Sequence, residues 1–156
     1  GERLLGAMGF GASAWKVAPR DTFIGWSSEE RQQGLHLIVG QSRFLILPWI
    51  RCRNLASKSL AIVAKRLPED WEARYGFRPV LLETFVDTRR FLGTCYRASN
   101  WVQVGDTQGR GKLDRYNAYR EPVKSIWLKP LRADFRRCLK EPVALVRIET
   151  GKARPA

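Results

Sequence analysis

Residues 43–67 read RFLILPWIRCRNLASKSLAIVAKRL, and the fold turns on this stretch. The run Phe44-Leu45-Ile46-Leu47 is short, apolar and stopped by Pro48, which predicts a strand covered on both faces. Asn54 and Ser57 stand where a helix begins and suit its capping positions. Ala56, Leu60, Val63, Ala64 and Leu67 then recur at helical spacing, while Lys58, Lys65 and Arg66 face elsewhere. Pro68 is expected to end that helix. A helix start that follows a strand offers unpaired backbone N–H groups and the positive end of the helix dipole. Arg51 and Arg53 lie beside it. Two readings follow: one ordinary strand–helix unit of an α/β core, or a phosphate-binding turn.

Outward from this unit, composition sets the bounds. A chain of 156 residues fits one domain, and its 44% hydrophobic share is enough for a core. A formal charge of +13, with a pI near 10.4, marks a surface that attracts polyanions. Nucleic acid comes first, then anionic lipid or nucleotide cofactors; the alternative is a solvated basic surface with no partner. Cys52, Cys95 and Cys138 are odd in number and far apart. They predict reduced thiols in a cytoplasmic protein, not a disulfide framework or a zinc site. His36 is the sole histidine, so a multi-histidine metal centre is excluded. No apolar run reaches membrane-spanning length and no secretory signal is visible. The start at Gly1 reads as mid-element, as in a fragment or an engineered piece lacking an N-terminal segment.

In chain order, Leu4 to Trp15 predicts a glycine-rich strand, bulged at Gly9 or Gly11. Lys16 to Asp21 reads as a turn centred on Pro19, and Thr22 to Trp26 as a second strand. Ser27 or Ser28 caps a helical turn with Glu29 and Glu30 at its start. Leu35 to Val39 is apolar and broken by Gly40. Beyond the central unit come a polar extension (Glu69 to Gly76), a strand (Val80 to Asp87) and a short helix (Gly93 to Asn100). A strand over Trp101 to Gly105, a basic loop, a strand over Lys124 to Leu131 and a short helix over Arg132 to Leu139 complete the pattern. The class is mixed α/β.

This order of pieces resembles the GNAT fold of acyl-CoA N-acyltransferases. In that family the helix start after the fourth strand holds the CoA pyrophosphate, and a later helix often carries a tyrosine that acts as general acid on the departing thiolate. Tyr96-Arg97-Ala98-Ser99-Asn100-Trp101 matches the tyrosine segment loosely. Phage Mom-type DNA-modifying acyltransferases are similar at Arg43-Phe44, at Asn54 to Ser57 and at Gly93 to Ala98. Longer blocks resemble the DruA family of the Druantia anti-phage defence systems, relatives of which sit beside transposases. They are FGASAWKVAPRDTFIGWS, RFLILPWIRCRNLASKSL, LLETFVDTRRFLGTCYRASNWVQVGDTQGRGK and KSIWLKPLRADFRR. This match covers roughly Leu4 to Leu139. The chain departs from the usual acyltransferase at Arg51-Cys52-Arg53-Asn54-Leu55-Ala56, which lacks the glycines of the pyrophosphate loop.

The resemblance implies acyl-CoA as cofactor, held by Arg51, Arg53, Asn54 and Ser57, with Tyr96 as proton donor. Read from the residues, Asn54 and Ser57 also fit plain helix capping, and Tyr96 a half-buried aromatic. Glu83 and Asp87 share one strand face by even spacing. They are candidates for a base and its orienting partner, or for carboxylates sharing a divalent metal, against a background reading of ion pairs among arginines. Asp21, after Pro19-Arg20, is a further carboxylate and a candidate to join them in space. The loop from Gly105 to Arg120 joins glycines to Arg110, Lys112, Arg115, Tyr116 and Arg120, a pattern for phosphate contacts and base stacking. Arg132, Arg136, Arg137 and Lys140 give a short helix a basic face that extends this track.

The sequence therefore predicts a GNAT-like domain over residues 1–140 and a tail over 141–156. The first expectation is a module that binds or acts on DNA in bacterial defence or mobile-element biology, alongside other proteins of such systems. The alternative is an acyl-CoA-dependent N-acyltransferase acting on a nucleobase or another amine, and a weaker one is a metal-dependent nuclease. Whether the chain is an enzyme stays open at this level.

Overall fold

A computed structural model describes residues 2–109 and 121–142. The Phe44–Leu47 run forms the outer end of a nine-residue strand, β2 (Ile38–Ile46), which pairs on one side with β1 (Gly6–Ala12). β1 and β2 are antiparallel, with a register shift between Gly9 and Phe10 that leaves Ser42 as an extra residue in β2. On its other side β2 runs parallel to β3 (Leu81–Asp87). β3 pairs antiparallel with β5 (Lys124–Pro130) along its whole length, and β4 (Val102–Asp106) closes the far edge against β5. The result is one open, five-stranded mixed sheet in the order β1-β2-β3-β5-β4.

A parallel pair requires a crossover, here the long helix α3 (Leu55–Tyr75). Together with α4 (Thr94–Ala98) it covers one face, where Leu60, Ala64 and Leu67 meet Val39, Leu82, Val86, Tyr96, Trp101 and Trp127. The opposite face is covered by α1 (Ala18–Ile24), α2 (Ser28–Gly34) and α5 (Phe135–Lys140). There Ile24, Trp26 and Leu139 pack on Ile38, Leu81 and Leu128. Alternate residues of β3 thus feed two cores, so one compact α/β domain forms around a sheet buried on both sides.

Four local expectations give way to this arrangement. Residues 18–24 form α1, not a turn and a strand; Pro19 lies in the first turn, where its missing N–H costs nothing, and Asp21 accepts the Val17 N–H at 3.3 Å. β2 runs through Gly40, which pairs with Gly11 of β1 and Glu83 of β3; a Cβ there would lie 3.3 Å from the Ala12 carbonyl oxygen, a tight contact that glycine avoids. The Phe44–Leu47 run is not covered on both faces; Leu45 is 55% exposed, since this end of β2 has lost β3 as a neighbour. α3 continues through Pro68 to Tyr75, so the polar extension is helix. Pro68 removes the N–H that would bond the Ala64 carbonyl, and the helix tolerates this within a longer packed element. The α2 expectation holds in detail: Ser27 and Glu30 form a reciprocal capping box.

Candidate functional site

The parallel pairing of β2 and β3 lasts four residues, Ile38–Gln41 against Leu81–Thr84. Beyond it, β2 follows β1 and β3 follows β5, so the sheet parts. Three buried polar side chains meet at the parting: Gln41, Thr84 and Tyr96. The Thr84 hydroxyl donates to the Gln41 carbonyl oxygen at 3.1 Å, and the Tyr96 hydroxyl donates to Gln41 Oε1 at 2.7 Å. Gln41 Nε2 remains buried without a hydrogen-bond partner among the described residues. An unmet buried donor costs about 1–3 kcal/mol, which an acceptor on a ligand would recover.

Tyr96 reaches this point from α4, which starts at Gly93 with φ 73° because Trp127 occupies the space a side chain there would need. Phe44 and Trp101 meet the Tyr96 ring edge-on, and Trp127 stacks on it. Burial pushes the Tyr96 phenol up to about 12, with the Thr84 hydroxyl offsetting a little of that. It is therefore protonated at neutral pH, the state a proton donor needs.

The start of α3 follows from the same divergence. Arg51, Cys52, Arg53 and Asn54 are all exposed on the way into the helix. Asn54 occupies the cap position at φ 60°, but its side chain makes no capping bond. Ser57 Oγ instead donates to the Asn54 carbonyl at 3.2 Å. The first turn holds no acidic residue, and no ion pair engages Arg51, Arg53 or Lys58 among the described residues. The Leu55 N–H donates to the Cys52 carbonyl at 3.4 Å, and no cap side chain meets the N–H groups behind it, so a 21-residue helix begins without a side-chain cap among three cations. This donor set fits the pyrophosphate of a nucleotide cofactor such as acyl-CoA, although glycine is absent from the turn.

The carboxylates lie elsewhere. Glu83 is fully buried beneath α1, its Oε2 accepting from Arg20 Nη1 at 2.7 Å. Arg20 is also fully buried and donates to the Ala14 and Trp15 carbonyls. Asp21 joins the group through Arg20, Arg31 and the Trp26 indole. Burial pushes the Glu83 carboxyl up, and the Arg20 charge works against that rise. Asp87 is four residues farther along β3, about 13 Å from Glu83 at strand rise. It pairs with Arg89, whose hydrogen bond holds its carboxyl below the usual range. Glu83 and Asp21 are brought together, and Asp87 is not. Among the described residues no three His, Cys, Asp or Glu side chains are grouped to hold a metal.

Of the basic track, Arg110, Lys112, Arg115, Tyr116 and Arg120 lie outside the described residues. Arg136 is stacked over Phe23 and Phe135 and belongs to the α1/α5 face. Two residues at the centre of the molecule were not candidates on sequence. Gln41 is signalled only as the polar member of the Ile38-Val39-Gly40-Gln41 run. Arg20 was hidden by the reading of its segment as a turn.

Among the described residues, no helix is long and apolar enough to cross a membrane. A family model described as Druantia protein DruA matches residues 1–129. No curated protein matches the chain. The chain belongs to the DruA family, and that membership suggests a role in Druantia anti-phage defence alongside other proteins of the system.

Proposed function

We propose that this DruA-family domain is a GNAT-like module directed at DNA, with the start of α3 as a seat for phosphate. One observation carries the reading: the sheet parts after Gln41, and the chain delivers to that side an uncapped helix start with Arg51, Arg53 and Lys58 exposed around it. Helix dipole, unpaired N–H groups and cations all favour phosphoryl oxygen there. The formal charge of +13 supports a polyanion over a small neutral ligand. The GNAT resemblance implies a phosphate-holding helix start after the fourth strand and a later helix bearing a tyrosine; α3, which follows β2, and α4, which carries Tyr96, are the elements this reading assigns to those roles.

The alternative reading, an acyl-CoA-dependent N-acyltransferase, rests on Tyr96 and Gln41. Acyl-CoA would supply an activated acyl group. Tyr96 would hold a proton at its hydroxyl, and the free Gln41 Nε2–H would donate to an acceptor of the ligand.

The test is binding to duplex and single-stranded DNA across a salt series. The wild type should show log K falling linearly with log salt. The pair Arg51→Glu with Arg53→Glu should lower the steepness by about two, one for each phosphate contact removed. A wild-type slope near zero, or no change in the pair, overturns the phosphate seat. Calorimetry with acetyl-CoA decides between the readings: heat that Arg51→Glu with Arg53→Glu abolishes favours the transferase.

A further inference from the structure

A second concavity lies on the α3/α4 face, displaced along α3 from its start. It is a cavity of about 500 Å³ between the middle of α3, the end of α4 and the strand ends at Pro79 and Pro130. Lys65 lies about 15 Å along the helix from Leu55 at 1.5 Å per residue, so this is a place distinct from the phosphate seat. Its volume is in the range of small-ligand sites, roughly 300–1,000 Å³.

The lining divides into two parts. Ala61, Ala64, Pro68, Pro79, Pro130 and Leu131 give apolar walls without long side chains, a shape that admits a flat ring. Lys65, Arg78, Lys129 and Arg132 supply four cations, and among the described residues no carboxylate lines the space. Glu72 and Asp134 pair with Arg78 and Arg132, but neither belongs to the lining. Lys129 Nζ donates to the Ser99 carbonyl at 3.2 Å, which fixes it at the α4 end.

Two polar groups complete the wall. Pro68 has no N–H, so the Ala64 carbonyl lacks its helical partner, and both residues line the cavity. Asn100, at φ 65°, presents an exposed amide at the rim. Lys65 and Lys129, which make no ion pair among the described residues, stand beside the paired Arg78 and Arg132 and leave the lining with an excess of positive charge that favours an anion. Flat apolar walls with one carbonyl acceptor and one amide call for a heteroaromatic ring that carries both donors and acceptors.

We infer that this cavity is a nucleotide site: the base lies against the alanine and proline walls, and the phosphate meets Lys65, Arg78, Lys129 and Arg132. The nucleotide is either free or one residue of a single strand. The site does not depend on the proposed seat at the start of α3.

The full chain is titrated with AMP, with inorganic phosphate and with a short oligodeoxyadenylate, followed by calorimetry. AMP should saturate and should bind at least about tenfold more tightly than phosphate. Lys65 is exposed and makes no ion pair, so Lys65→Glu keeps the fold while weakening AMP about tenfold or more. Ala61→Trp fills the mouth from an exposed position and should abolish AMP binding without a change in charge. AMP that Arg51→Glu with Arg53→Glu weakens as much as Lys65→Glu does is held at the start of α3, and that result overturns the cavity site. If the oligonucleotide is weakened with AMP by Lys65→Glu, the occupant is a residue of a strand; if AMP alone responds, it is the free nucleotide. No saturation with AMP overturns the proposal. So does phosphate binding as tightly as AMP, or AMP binding that withstands both cavity variants.

Discussion

Beneath α1 the sheet buries a full ion pair, Arg20 on Glu83 at 2.7 Å, with neither side chain exposed. Beneath α4, on the other face of the same strands, it buries a neutral trio, Tyr96, Gln41 and Thr84. The difference is one of chemistry, and it fits the proposal that the α1 side anchors the chain while the α4 side binds a ligand. A guanidinium that donates to a carboxylate and to two backbone carbonyls ties the chain after β1 onto the sheet, and its desolvation leaves no room for exchange with a ligand. Among the described residues each side leaves a buried polar atom unmet, Glu83 Oε1 beneath α1 and Gln41 Nε2 beneath α4, but only the second lies next to a parted pair of strands and belongs to a neutral group. The cations differ by place. Arg20, Arg31 and Arg136 are engaged by carboxylates, carbonyls or aromatic rings on the α1/α5 face. On the α3/α4 side Arg66, Arg78 and Arg97 are also engaged, and an unpaired group among the described residues, Arg51, Arg53 and Lys58, stands exposed at the start of α3.

The largest effect that would break this comparison is at the ion pair. Arg20→Met leaves Glu83 buried without its partner and should cost about 3–5 kcal/mol in urea unfolding at neutral pH. The loss should shrink in acid, where the Glu83 carboxyl, already pushed up by burial, takes up a proton. A cost under about 1 kcal/mol would mean that the pair is not the anchor.

A smaller effect sharpens the other side. Tyr96→Phe removes one neutral hydrogen bond and should cost about 1 kcal/mol with the fold intact. Its signature is in alkali. The folded chain holds the Tyr96 proton up to about 12 against an ordinary value of 10.0. That contribution to stability is complete below pH 10 and is lost as pH rises through 12. Thermal melts over this window should fall steeply in the wild type and less steeply in Tyr96→Phe. Equal slopes would show that the phenol is not held in the trio.

Much of the element order was legible in the sequence, the contrast itself was not, and both have physical reasons. The strand–turn–helix unit, the β3 to β5 segments and the capping box of Ser27 and Glu30 were readable because period and cap chemistry are local. The extent of β2, the continuation through Pro68 and the helical α1 were not, because Gly40, Pro68 and Pro19 break patterns locally that tertiary packing restores. Arg51, Arg53, Asn54 and Ser57 were named, and they do lie together at one helix start. Tyr96 was named, but its partner Gln41 comes from 55 residues away, a pairing set only by the parallel register. Glu83 and Asp87 share a strand face as their spacing required. Which of them would be sealed depended on Arg20, 63 residues from Glu83, and spacing along β3 carries no information about it.

The assignment of anchoring to one face and recognition to the other is tested most directly by amide hydrogen exchange with and without duplex DNA at low salt. Protection should appear over residues 50–60 and be absent from residues 18–34. Protection concentrated on 18–34, with 50–60 exchanging as in the free protein, would contradict the account.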